Sequence, residues 1–317
     1  MAAVSAAPMP PRLALRAHPS SSASPLPMRA LPFLRSRLRS LTTAYAVKQD
    51  AALWTPAPVS AVSAATSDGS ISHVIVDLSD AADLVDSYTT PGQYLKIRVP
   101  SAADELKPAF MAIASPPGEG PRFEFVVKTV PGTTAERLCT LRDGDVVELG
   151  AVTGDGFALD KINPPDVAQT VLLFATGTGI STIRSLIEFG FAANERADVR
   201  LYYGARSLQS MAYQERFKNW ESTGVKIIPV LSRPDDSWKG ERGHVQDAFY
   251  RNKNIVNPSS TGAVLCGQNE MQEVRIVVVS RPFCITLPLS VLSLRKKLFA
   301  TCESNCYYIK LCMNTLK

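Results

Sequence analysis

The run Leu172-Leu173-Phe174-Ala175-Thr176-Gly177-Thr178-Gly179-Ile180-Ser181 decides the reading of this chain, because an apolar strand there breaks into a glycine-punctuated turn that opens a helix. The residues before the turn suit a buried parallel strand, and residues 181–189 continue at helical spacing. Gly177 and Gly179 carry no Cβ, so backbone N–H groups between Thr176 and Ile180 can approach an anion at the helix N-terminus, where a dinucleotide pyrophosphate would fit. The spacing is not the common G-x-G-x-x-G, and a Gly/Thr turn after a strand is usually only a plain strand-to-helix connection. The neighbouring segments decide between the two.

Residues 262–271 repeat the logic, with a short apolar strand ending in Cys266-Gly267 before Met271. Ligands of open α/β sheets bind outside the carboxyl ends of the strands, where Cys266 would bring a small polarizable side chain beside a flat ring. Strand-like runs at 199–204 and 225–231, separated by a helical candidate at 210–221, complete the alternation expected of a doubly wound parallel sheet.

Upstream the texture changes. Short β-rich runs at 72–78, 94–99, 122–129 and 145–149 are separated by turn signals at Pro91-Gly92, Pro116-Pro117-Gly118, Pro131-Gly132 and Asp143-Gly144, which predicts a small antiparallel sandwich or barrel. Pro164-Pro165-Asp166 reads as a hinge between the two halves. Val127 and Lys128 end a strand, and the turn Gly132-Thr133-Thr134 leads into a helix-like run at 135–141. That turn suits a second phosphate site with Lys128 as countercharge, or an ordinary helix capped by Thr133 or Thr134.

The ordered set Gly177-Thr178-Gly179-Ile180, Tyr203-Gly204-Ala205-Arg206, Leu231-Ser232-Arg233-Pro234, the run from Trp238 to Val245, and Cys266-Gly267 through Met271 resembles the NAD(P) domain of the ferredoxin–NADP reductase superfamily. The resemblance extends over roughly residues 60 to 273 and is greatest to plant plastid ferredoxin-reductase-like proteins of the kiwifruit fruit-protein type, with some likeness to the electron-transfer subunit of dihydroorotate dehydrogenase. It implies an antiparallel Greek-key FAD-binding barrel at 52–163, followed by a doubly wound NAD(P)-binding domain at 164–273. The implied activity is FAD-dependent NAD(P)H oxidoreduction: hydride passes from NAD(P)H to the flavin, and electrons pass on to an acceptor the sequence does not name. A flavin- or nucleotide-binding protein without turnover is the alternative.

Site residues follow from the same resemblance. Phe110, Met111, Ala112, Ile113, Ala114 and Ser115 lie along the flavin, while Val127, Lys128, Gly132, Thr133 and Thr134 hold the FAD phosphates. Thr176, Gly177, Thr178, Gly179 and Ile180 cradle the nicotinamide nucleotide, and Cys266, Gly267 and Met271 flank its reactive ring. Cys266 and Ser115 are the expected catalytic positions, although a cysteine ending an apolar strand also reads as a small buried hydrophobe. Arg206, Ser232 and Arg233 offer guanidinium and hydroxyl groups to a 2′-phosphate, favouring NADP with NAD left open. The chain departs from its relatives before Ile113-Ala114-Ser115. Many members carry Arg-x-Tyr-Ser there, and this chain has Ala109, Met111 and Ala112 at the Arg, Tyr and Ser positions. A charge-assisted bond of about 1.5–3 kcal/mol is lost, which predicts weaker FAD retention.

Composition divides the chain further. Residues 1–49 hold seven Lys/Arg and no Asp/Glu among abundant Ala, Ser and Pro, the pattern of a removable transit peptide, with a chloroplast expected and a mitochondrion as alternative. Residues 50–273 carry 20 basic against 28 acidic groups, so the overall +5 says nothing for nucleic acid. The three histidines are scattered and no Cys/His spacing suits a metal or an iron–sulfur cluster, so any electron-carrier protein would be a separate partner. The run from Val274 to Lys317 holds four of the six cysteines and one acid, and its apolar part is broken by Arg281, Pro282 and Pro288, which disfavours a membrane span. A Glu273-Val274-Arg275 junction is what reading through a splice donor would encode, so 274–317 is expected to be an intron-derived tail on a truncated nucleotide domain. Transcripts sequenced across the Glu273 codon should then include a spliced form lacking it; uniform read-through would refute this origin.

Overall fold

A computed structural model describes residues 53–100, 106–252, 255–267 and 306–310. The segment expected to be a transit peptide, Met271 and most of 274–317 lie outside the described residues. The first half is built from β1 (Thr55–Ala64), β2 (Ile71–Asp77), β3 (Tyr94–Arg98), β4 (Ala109–Ala112), β5 (Arg122–Lys128) and β6 (Val146–Leu149), with short helices α1 (Ala82–Asp86) and α2 (Thr134–Thr140). Every neighbouring pair in the order β4-β3-β6-β1-β2-β5 is antiparallel. The Ala114 N–H donates to the Glu124 carbonyl at 2.8 Å, drawing the chain after β4 onto β5 and nearly closing the sheet into a barrel. Period-two patterning drives this half: Val74 and Val76 on β2 and Phe123, Phe125 and Val127 on β5 face one core with Val59, Leu95, Ile97 and Leu149.

The runs expected at 72–78, 94–99, 122–129 and 145–149 form β2, β3, β5 and β6. Strand β1 has no clean sequence signal, because Pro56 and Pro58 read as strand breakers. They fall in the part of β1 that pairs with β6, before pairing with β2 begins at Val59.

The second half is a sheet in the order β10-β9-β8-β7-β11-β12. Its elements are β7 (Thr170–Thr176), α3 (Ile180–Glu188), β8 (Asp198–Ala205), α4 (Phe217–Ser222), β9 (Val225–Leu231), β10 (Glu241–Arg242), α5 (Val245–Arg251), β11 (Thr261–Cys266) and β12 (Cys306–Lys310). The first five strands in that order are parallel, and β12 pairs antiparallel with β11, setting Gly262 opposite Lys310 and Cys266 opposite Cys306. From β7 the chain winds outward through β8 and β9, then crosses back to β11 on the other side of β7. The order therefore reverses between β7 and β11, the switch point at which such sheets bind ligands. Both faces are covered, so β7 is buried almost throughout and reads as a continuous apolar run.

The single helix expected at 210–221 is instead two 3₁₀ turns followed by α4. Tyr213 adopts φ +63°, which ends any continuous helix there. The strained residue is compensated by burial: its ring lies 4.8 Å from that of His73 on β2 and 6.0 Å from that of Trp220 on α4.

Tyr213 belongs to the seam that joins the two halves. Arg184 of α3, fully buried, donates from Nη1 to Glu124 of β5 and to the Tyr213 hydroxyl at 3.1 Å, and from Nε to Glu188 at 2.9 Å. Glu188 also accepts from Arg216 and from the Trp220 indole, each at 3.0 Å. Alongside, the Tyr88 hydroxyl, Ser185 Oγ and the Ser115 carbonyl form a triangle in which two hydroxyl protons serve three contacts: Tyr88 to Ser185 at 2.6 Å, and each hydroxyl within reach of the carbonyl, at 2.9 and 3.1 Å. Burial works against the Glu124 carboxylate, yet the Arg184 hydrogen bond and charge hold it below the ordinary carboxylate range. Burial pushes the His73 imidazole down, Glu124 and Glu215 act upward, and Arg184 and Arg216 act downward.

Arg184→Met should cost about 3–5 kcal/mol in chemical denaturation, because it strands Glu124 and Glu188 without their countercharge; a loss below about 1 kcal/mol would show the seam to be incidental. Since the folded protein disfavours protonated His73, the unfolded chain binds more protons below the ordinary 6.5 and stability falls as pH drops through that value. The melting temperature should decline between about pH 7 and pH 5.5, and His73→Phe should flatten that slope, leaving the Glu124 loss to appear only below the ordinary 4.5.

Candidate functional site

At the switch point the carboxyl ends of β7 and β11 meet a wall of the barrel around a cleft of about 770 Å³. That size lies within the ~300–1,000 Å³ typical of small-molecule sites. Tyr94, Phe110, Met111, Ala112 and Val126 form an apolar wall from the barrel, beside Lys128. The nucleotide sheet supplies Thr176, Gly177, Thr178, Gly179 and Cys266-Gly267, and farther along Arg206, Ser207, Ser210 and Ser232. The Tyr94 and Phe110 rings lie 5.9 Å apart, and Lys96 Nζ sits 4.9 Å from the Phe110 centroid.

The glycines at the switch point act in two different ways. Gly177 takes φ +53° with open space where a Cβ would lie, so its freedom serves the turn itself. A Cβ on Gly179 would overlap the Cys266 carbonyl, so Gly179 lets the start of α3 press against the end of β11. The seam anchors the same helix to the barrel, which fixes the turn relative to the Phe110 wall.

Several of the expected residues do not reach the cleft. Ser115 is 2% exposed, and its hydroxyl accepts from the Glu124 N–H at 3.2 Å and donates to the Arg122 carbonyl at 3.4 Å. Ile113 and Val127 point into the barrel core, Ala114 and Ile180 pack in the core of the nucleotide half, and Arg233 lies beside the cleft without lining it. Gly132, Thr133 and Thr134 start α2 away from it. The Glu136 carboxylate accepts the Gly132 N–H at 2.8 Å, Thr133 donates to the Val130 carbonyl at 2.7 Å, and Thr134 donates to the Lys107 carbonyl at 2.8 Å. Thr133 stands at the N-cap position of α2 without a side-chain capping bond.

Other lining residues had little or no signal in the sequence. Gln246 is 8% exposed, lines the cleft, and its Oε1 has no hydrogen-bond partner among the described residues. A buried amide oxygen without a donor is an acceptor that a ligand or a water in the cleft can satisfy. Gln246 follows directly on the Trp238 to Val245 run, but a glutamine near a helix start is unremarkable in sequence. Asp68 and Ser70 come from the turn between β1 and β2, whose Thr66-Ser67-Asp68-Gly69-Ser70 reads only as a hairpin turn. Burial would raise the Asp68 carboxyl, but hydrogen bonds from the Ser70 N–H and from the Thr66 and Ser70 hydroxyls outweigh it and hold Asp68 below its ordinary range. His244 lines the cleft from the N-cap of α5.

The sequence model of the oxidoreductase NAD-binding domain family matches residues 173–275. Fruit protein pKIWI502 of Actinidia deliciosa is 46% identical over 286 residues, covering 84% of this chain and 90% of that protein. Ferredoxin–NADP reductase B of Sorangium cellulosum is 33% identical over 159 residues, 49% of this chain and 62% of the relative. The chain belongs to the ferredoxin–NADP reductase superfamily. Like other superfamily members, it pairs the barrel of FAD-binding oxidoreductases with a sheet of the NAD(P)-binding kind. A ferredoxin NADP⁺ reductase from Neisseria gonorrhoeae, solved with bound FAD and NADP, shares the fold at a TM-score of 0.60, with 17% identity, covering 71% of this chain and 90% of that one. Among the described residues no cluster of His, Cys, Asp and Glu could hold a metal, and no helix is long and apolar enough to cross a membrane.

Gly179→Ala should cost several kcal/mol, since the Cys266 backbone cannot yield as a flexible side chain would. Gly177→Ala, strained only by its φ, should cost about 1–2 kcal/mol. Urea denaturation of both variants tests the assignment, and equal losses would contradict it.

Proposed function

We propose that this chain is an FAD-dependent NAD(P)H oxidoreductase that hands electrons to a separate carrier protein. The observation that carries this reading is the cleft itself, where the apolar Tyr94–Phe110–Met111 wall faces the glycine turn and Cys266 across the switch point. The residues present fit both groups: the wall suits a flat aromatic ring, and the buried Gln246 Oε1 awaits a donor on the nucleotide side. Bound FAD and NAD(P)H together supply the hydride-transfer and electron-delivery chemistry that no side chain here can perform.

The protein's part is orientation and electrostatics. Gly177, Thr178 and Gly179, following Thr176 at the end of β7, set backbone N–H groups toward the nucleotide phosphates at the start of α3. Cys266, 6% exposed at the end of β11, bounds the nicotinamide position as a small contact and not as a nucleophile. Arg206 and Ser232 face the cleft and suit a 2′-phosphate, which supports NADPH use with NADH also accepted. Lys128 is the cationic contact for the flavin phosphates on the barrel side, and the 132–134 turn contributes only if Glu136 releases the Gly132 N–H. Ser115 acts in this reading as a structural link, with its hydroxyl engaged on β5.

The Lys/Arg-rich, acid-free first 49 residues support import into a plastid, and the family match ending at 275 supports reading 274–317 as a divergent tail. A flavin- or nucleotide-binding role without turnover is favoured by one specific feature: Ala112 sets a methyl group, and no hydroxyl, on the flavin-facing wall.

The purified full chain should show a flavin absorption spectrum that bleaches on anaerobic addition of NADPH or NADH. Bound flavin that stays oxidised would favour the role without turnover, and colourless protein that FAD cannot reconstitute would refute the flavoprotein reading. Gln246→Leu should weaken nucleotide binding about tenfold while leaving flavin content unchanged; a parallel loss of flavin would place Gln246 elsewhere in the mechanism.

A further inference from the structure

Asp68 is the only acidic side chain among the described residues lining the cleft. It comes from the barrel, at the tip of the β1–β2 turn, whereas Arg206, Ser207, Ser210 and Ser232 come from the nucleotide sheet. Its backbone N–H donates to the Gln209 carbonyl at 3.1 Å, so the tip is anchored on the same 3₁₀ turn, Leu208–Ser210, that follows Arg206 and Ser207. The side chain is fixed as well. Asp68 Oδ1 accepts from the Thr66 hydroxyl at 2.7 Å, the Ser70 N–H at 3.0 Å and the Ser70 hydroxyl at 2.7 Å. All three of these bonds fall on Oδ1, so among the described residues Oδ2 keeps acceptor capacity for a ligand.

We infer that Asp68 tempers the nucleotide preference of the cleft: its Oδ2 accepts from the ribose 2′-hydroxyl of NADH, and its charge weakens, without abolishing, the hold of Arg206 and Ser232 on the 2′-phosphate of NADPH. The inference rests on the reading of this cleft as an NAD(P)H site. The chemistry follows from the two ligand ends. A 2′-hydroxyl brings a donor to a carboxylate that has an acceptor to spare, whereas a 2′-phosphate brings up to two negative charges and no matching proton. Because the carboxylate is held by its own loop and the loop by Gln209, it cannot swing away from the phosphate as a mobile surface acid would. Preference is thus set jointly by a basic group on one half of the protein and an acidic group on the other, so it depends on the halves being locked together.

The test uses the full chain and calorimetric titration with 5′-AMP and 2′,5′-ADP, which differ at the 2′ position and need no flavin reduction to be read. Asp68→Asn keeps an oxygen for the Thr66 and Ser70 donors, and an unchanged melting temperature would confirm that the loop survives. The expected result is roughly tenfold tighter 2′,5′-ADP binding with 5′-AMP unchanged or weaker, a shift that shrinks as salt is raised. A ratio of the two affinities that stays within twofold of wild type would overturn the inference. Arg206→Gln supplies an independent check, since it should weaken 2′,5′-ADP about tenfold and spare 5′-AMP; equal weakening of both would put the 2′ end elsewhere and sink the assignment of Asp68. Wild-type protein that binds neither nucleotide would refute the NAD(P)H reading itself, a failure distinguishable from an unmoved ratio.

Discussion

The arrangement hangs on one guanidinium. Arg184, wholly withdrawn from solvent, holds Glu124 from the barrel and Glu188 from its own helix, with the Tyr213 hydroxyl as a further acceptor. Taking such a charge out of water is costly; two carboxylates bonded to Nε and Nη1 offset that cost, while Nη2 has no hydrogen-bond partner among the described residues. What the seam secures is registry between halves. Helix α3 begins where the Gly177 to Gly179 turn ends, so fastening the helix to β5 also fastens the turn against the flavin-side wall. Tyr88, Ser115 and Ser185 reinforce the same joint through neutral hydrogen bonds. Burial pushes the Tyr213 phenol up to about 12, which keeps it a neutral partner for the cation at any working pH.

The second constraint is the crossing of backbone at the switch point. β7 and β11 run side by side with Ala175 opposite Cys266, and the two segments then pass so closely that neither Gly179 nor Gly267 has room for a Cβ. Gly179 and Gly267 are both required by this closeness, because a Cβ on either would collide, with the Cys266 carbonyl in one case and with Thr176 in the other. A close crossing of two strand ends makes a shallow floor of N–H groups and small side chains, suited to an extended nucleotide lying across both.

The contact between Asp68 and Gln209 gives the cleft a second bridge, distant in the chain from the Arg184 seam. One bridge is a buried ion network and the other a backbone hydrogen bond at a loop tip, so they differ in strength and in exposure to solvent. The strong joint sets geometry, and the weaker one brings a barrel residue to the ribose end.

Much of this was legible in the sequence. The apolar run ending in Gly177-Thr178-Gly179, its echo at Cys266-Gly267, and the alternating strands before residue 150 determine an antiparallel half followed by a parallel one, because strand burial leaves a period of two or a continuous apolar run in the residues themselves. The glycine turn and Cys266 could be located for the same reason, since strand ends in an α/β sheet converge by topology, whereas Arg206 and Ser232 came from the family resemblance of the motifs that hold them. Only tertiary structure decided that Ser115 would be drawn into the joint, that Glu136 would take the Gly132 N–H, that Tyr213 would break a helix to reach the seam, and that Asp68 and Gln246 would line the cleft. Those outcomes depend on which groups meet across long sequence separations, and pairwise contacts of that kind leave no periodic trace in a single chain.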